Sequence, residues 1–201
     1  MNKASLGLLQ RGLYLEYLTL GWNVVGTVIV IAAAFTANSV ALAGFGLDSL
    51  IEIFASLVVV WQLKKLDQPQ RERLALRLIG VAFIILACYI LAQTAWTLLT
   101  QTRPDISLVG LIWLTATFGV MLLLAWGKHR TGKALANPVL LTEGRVTLVD
   151  AYLAGAVLIG LSLNALFGWW WADPLAGLVI VWYGFKEGWQ AWRGEEQGQA
   201  S

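Results

Sequence analysis

Two carboxylic acids four residues apart, Asp48 and Glu52 in the stretch GFGLDSLIEIF at 44–54, stand in a run that is otherwise apolar. On a helix, positions i and i+4 share a face and lie about 6 Å apart along the axis, so the two side chains project together. Glu16 and Asp150 occupy comparable apolar surroundings elsewhere in the chain. A charge at bilayer depth costs roughly 3 to more than 10 kcal/mol, which makes such acids candidates for function. No Lys, Arg or His is expected in the middle of an apolar segment, so no basic partner is expected to absorb these charges. Three states stay open: neutral carboxyls hydrogen-bonded to neighbouring helices, a water-filled cavity, or a bound cation. Facing carboxyls in a medium of low dielectric retain protons near neutrality, and a divalent cation displaces them. That competition is the chemistry metal/proton exchange requires.

The elements that must position these acids are apolar helices. The 201 residues are 58% hydrophobic and 13% charged, with 11 Trp and a mean hydropathy of +0.69, values that suit a polytopic all-α membrane protein. Six segments reach the roughly 20 residues a bilayer crossing needs: about 14–35, 39–63, 76–99, 107–127, 146–167 and 172–191. They form one transmembrane domain over 1–193, followed by a polar tail at 194–201 that is expected to fray. A signal peptide fits the first segment less well, because the segment is long and carries Glu16 and Asn23. Thirteen of the fourteen Lys and Arg fall on one side of this arrangement, with Arg103 alone on the other. The positive-inside rule then places both termini in the cytoplasm, in the cell membrane. Trp61, Trp96, Trp126, Trp169 to Trp171, Trp189 and Trp192 mark segment ends, whereas Trp22, Trp113 and Trp182 are expected to pack deeper. The single Cys88 excludes an intramolecular disulfide, and no basic stripe supports nucleic-acid binding.

Further polar residues are graded by position. Glu16, Thr19, Asn23, Gly26 and Thr27 recur at helical spacing and give the first segment one polar face turned to the bundle interior. Asn23 either reaches the acids or hydrogen-bonds a neighbouring helix; Glu16 either admits an ion or snorkels. Ala151 and Gly155, like Gly184 and Gly188, permit close helix packing. Tyr89, Gln93, Asn164 and Ser49 read as interhelical hydrogen-bonding groups. Asp173-Pro174 reads as a helix N-cap with Pro in the first turn, and His129, within KHRTGK, as a solvated residue.

The segment SVALAGFGLDSLIEIFASLVVVW resembles the second transmembrane helix of the cation diffusion facilitator family, with Asp48 and Glu52 on its two acidic positions. The stretch TEGRVTLVD at 142–150 is similar to that family's fifth helix, where Glu143 and Asp150 take the acidic positions and Val146 replaces the ligand histidine. GWNVV at 21–25 and NALFGWWWADP at 164–174 resemble the short branch that includes vesicular TMEM-type zinc transporters. The resemblance implies a six-helix bundle without the C-terminal cytoplasmic domain common in the family. It also implies a homodimeric transporter, not an enzyme, that exports a divalent cation, Zn²⁺ foremost, against protons. The metal ligands are then Asp48, Glu52 and Asp150, with Glu143, Thr147, Asn23 and Glu16 as accessory groups and no resident cofactor. An all-carboxylate site also suits Mn²⁺, Fe²⁺ or Mg²⁺. The competing expectations are a proton-coupled exporter of organic cations, whose Trp-rich helices would wall the substrate, and a membrane scaffold with buried neutral acids.

Overall fold

The computed structural model describes residues 3–37, 40–66, 68–101, 107–169 and 171–193. Six helices follow one another: α1 (Lys3–Ala37), α2 (Val40–Leu63), α3 (Pro69–Thr100), α4 (Leu108–Leu135), α5 (Pro138–Phe167) and α6 (Ala172–Arg193). The first five are each long and apolar enough to cross a membrane. All six expected segments are therefore helices, but α1, α3, α4 and α5 run well past the apolar stretches. Hydropathy reports only the lipid-length part of a helix, whereas backbone hydrogen bonding continues into polar flanks as long as the ends are capped.

The extension of α5 has a visible cause. Asn137 accepts a hydrogen bond from the Leu140 N–H at 2.8 Å, and Pro138 occupies the first turn, where its missing N–H costs nothing. Ser107 caps α4 in the same way, accepting from the Gly110 N–H at 3.1 Å. Only Ala136 and Asn137 separate α4 from α5, and Ala136 takes a left-handed conformation, φ 48°, to make the turn. So tight a junction lays the last turns of α4 along the first turns of α5. Gly132 meets Leu141 there, and Gly144 lies against Lys128 and the His129 backbone.

Packing is most extensive between α3 and α6, between α4 and α5, and between α1 and α2, while α1–α4 and α2–α5 contacts close four helices into a group. Val30, Leu42, Phe45, Leu114, Leu140, Val146, Val149 and Val157 belong to its apolar core. α3 and α6 form a separate pair joined to the group through α2 and α5. Small residues make that pair close: Gly184 faces Ala87 and Phe83, and Gly188 faces Gly80 backbone to backbone. Gly155 accepts the Phe118 ring. Both glycine expectations for close packing hold, with Gly80 as the partner the spacing did not reveal.

Aromatic rings gather at the basic end of the bundle. Arg71 lies over Trp61 at 4.0 Å, Arg193 over Trp189 at 4.7 Å and Arg130 over Trp126 at 4.9 Å, the cation–π pairing expected at headgroup depth. Trp22 and Trp113 stack inside at 4.8 Å, and the Trp22 indole donates to Thr117 at 3.1 Å. Trp182 departs from its expectation: it is exposed on the outer surface with Lys186 over its ring. Its neighbours explain why, since the buried positions Val181, Gly184 and Gly188 of α6 turn the other way. The cap expected at Asp173 falls on side chains outside the described residues; the helix itself begins at Ala172.

Candidate functional site

Five acids line the interior of the four-helix group: Glu16 from α1, Asp48 and Glu52 from α2, and Glu143 and Asp150 from α5, each no more than 2% exposed. Their helices fix the order. Along α2, Asp48, Glu52 and Ser56 follow at four-residue steps, and along α5, Glu143, Thr147 and Asp150 climb the facing side. The two ladders run in opposite chain directions, so Ser56 meets Glu143, Glu52 meets Thr147 and Asp48 meets Asp150.

At the outer rung, Asp48 and Asp150 come together carboxyl to carboxyl. Neither group carries a donor when ionised, and both Asp150 oxygens and Asp48 Oδ2 have no hydrogen-bond donor. Two like-charged groups in this arrangement demand a proton or a cation between them. α3 closes the space beside them: the Tyr89 hydroxyl and the Gln93 amide press on Gly44, one helical turn from Asp48. A methyl group at 44 would collide with both side chains.

The middle rung joins α2 and α5 through a hydroxyl. Thr147 Oγ1 donates to Glu52 Oε1 at 2.5 Å and accepts from Lys128 Nζ at 3.0 Å. At the inner rung, Lys128 Nζ also donates to Glu143 Oε1 and lies 3.3 Å from Glu16 Oε2. Ser56 Oγ donates to the same Glu143 oxygen at 3.0 Å. The side chains of Lys128, Glu16 and Glu143 are all fully buried.

Lys128 overturns the expectation that the buried acids lack a basic partner. Its place in KHRTGK suggested a solvated loop, but α4 continues through that segment to Leu135. Leu114, Thr117, Met121, Leu124, Lys128 and Thr131 form one buried stripe, while His129, Arg130 and Lys133 are exposed. That periodicity was the available signal, obscured by the flanking charges. Glu16 does not snorkel, because Lys128 holds it inside. Glu143 stands within the bundle and not beyond its edge, because α5 begins eight residues earlier than its apolar run. Asn23 is buried but donates to its own helix, at Thr19 O, 3.1 Å. Val146, one turn before Asp150, is part of the apolar core.

Among the described residues, no three His, Cys, Asp or Glu side chains converge as they stand on a point that could hold a metal ion. Carboxyls are instead paired across helices, with Glu52 drawn toward Thr147 and Lys128. Long apolar helices closed around a column of buried carboxyls make this a multi-pass integral membrane protein of transporter type.

Comparison with known proteins supplies the family. A family model described as the cation efflux transmembrane domain matches residues 17–193, and the chain belongs to that family. An uncharacterized transporter of Synechocystis sp. is 26% identical over 162 residues, which cover 73% of this chain and 52% of that protein. NADH-quinone oxidoreductase subunit N of Shewanella woodyi is 31% identical over 144 residues, 66% of this chain but 29% of that protein. The chain thus spans about half the length of the transporter relative and a smaller part of the subunit.

Proposed function

We propose that the chain exports divalent metal cations, Zn²⁺ foremost, in exchange for protons by alternating access. The observation that carries this reading is the Asp48–Asp150 pair: facing carboxyls from two helices, buried, with three oxygens that no donor reaches. Protons satisfy such a pair in one state and a divalent cation in the other, so loading the ion releases protons. Glu52 completes the ligand set by turning from Thr147 toward Asp48. The donors are all oxygen, with Val146 where the related pattern carries histidine, and this widens the accepted ions toward Mn²⁺ and Fe²⁺. Rocking of the α3–α6 pair against the four-helix group would open the column to alternate sides.

Liposomes containing the purified protein and an internal pH dye test the proposal. Zn²⁺ or Mn²⁺ added outside should drive proton movement, and Asp48→Asn should reduce its initial rate at least tenfold while the protein still inserts and elutes as wild type. Undiminished flux in Asp48→Asn would remove the pair from the mechanism.

A further inference from the structure

We infer that Glu16, Glu143, Ser56 and Thr147 form a second cation subsite, one in which the Lys128 ammonium is a tethered occupant that a divalent cation replaces in passage. This rests on the exporter reading for the cation's passage, but the subsite itself stands on its own geometry. Its donor set comes from three helices: a carboxylate on α1, a carboxylate and a hydroxyl on α5, and a hydroxyl on α2. Every one of these side chains is fully buried.

The ammonium underfills this cage. It hydrogen-bonds Glu143 Oε1 and Thr147 Oγ1 and holds Glu16 by charge alone, at 3.3 Å. Both Glu16 oxygens and Glu143 Oε2 accept no hydrogen bond although they are buried. The ammonium brings a single charge to two carboxyl groups, Glu16 and Glu143, whereas a doubly charged ion would neutralise both on displacing their protons. Oxygen donors in this number suit hard and borderline divalent cations. A purely structural ion pair would satisfy its own acceptors, since burying unpaired carboxylate oxygens is costly.

Location supplies the direction of exchange. Thr147 touches Lys128 on one side and Glu52 on the other. An ion at the inner cage is therefore one hydroxyl away from the column's middle carboxylate, on the end of the bundle that carries the Arg–Trp pairs. When the ion moves outward, Lys128 returns to the cage and keeps it from recapturing the cargo.

Counting bound Mn²⁺ on the full chain in lipid nanodiscs, by the electron paramagnetic resonance of the free ion, decides the matter. Lys128→Ala should bind one Mn²⁺ more per chain than wild type. The extra ion should persist when Asp48→Asn and Asp150→Asn are added, and vanish when Glu16→Gln and Glu143→Gln are added. Equal stoichiometry in wild type and Lys128→Ala would overturn the subsite and reduce Lys128 to an ion-pair partner. Should Lys128→Ala fail to fold, Lys128→Gln, which keeps a chain of similar length without charge, carries the same expectation and the same refutation. The two proposals fail separately: a wild type that binds no Mn²⁺ beside a Lys128→Ala that binds one would remove the Asp48 site and leave the cage.

Discussion

Gly80→Ala adds one methyl group where two helix backbones come closest among the described glycines, and its effect follows from the contacts there. The new Cβ would stand 2.9 Å from Gly188 O and 2.9 Å from Trp192 N. Both are backbone atoms, so no rotamer change relieves the clash. Ordinary contact needs about 3.5 Å, and α3 and α6 must separate or slide by roughly half an ångström to regain it. Overpacking of this kind costs about 1–3 kcal/mol. Gly119→Ala on α4 is the matched control, because nothing lies within 4 Å of its Cβ position; it should gain about 0.5–1 kcal/mol from helix propensity alone. Gly80→Ala gains the same propensity, so the term cancels, and chemical unfolding in mixed micelles, followed by circular dichroism, should separate the two variants by about 1–3 kcal/mol. Gly80→Ala as stable as Gly119→Ala would show that the pair is not held by backbone contact.

Two further substitutions probe the polar interior by the same unfolding measurement. Lys128→Met leaves Glu16 and Glu143 buried without their cation and should cost about 3–5 kcal/mol, whereas adding Glu16→Gln and Glu143→Gln should restore more than half; a triple variant less stable than the single would contradict the ion-pair reading. Asn137→Ala removes the α5 cap and the bond from Asn137 Nδ2 to Gln62 Oε1 at 3.1 Å, for a loss of about 2–3 kcal/mol, and a loss below about half of that would refute the double role.

What the sequence made legible was whatever rests on a single helix. Hydropathy located six helices, four-residue spacing put Asp48 and Glu52 on one face, and small residues marked Gly155, Gly184 and Gly188 as contacts. Relations between helices were harder to read. Glu143 and Lys128 both lie in stretches that charge density marks as membrane edge, and only the Asn137-Pro138 cap and the two-residue turn draw them inside. The cap was readable in principle, because Asn followed by Pro is a helix-start signal. Trp182 went astray for a related reason: the inward face of α6 is made by Val181, Gly184, Glu187, Gly188 and Ala191, a mixed set in which a charged residue faces in and a Trp faces out.

The Arg–Trp ring at the basic end also measures depth. Lys128 lies between Trp126 and Arg130 on α4, so its Cα is only about 3 Å along the axis from each. Its side chain leans back along the helix, into the bundle, and its ammonium is buried by the length of its own stem. The reach of one side chain thus lets a residue whose backbone stands at headgroup depth neutralise acids that lie inside the bundle.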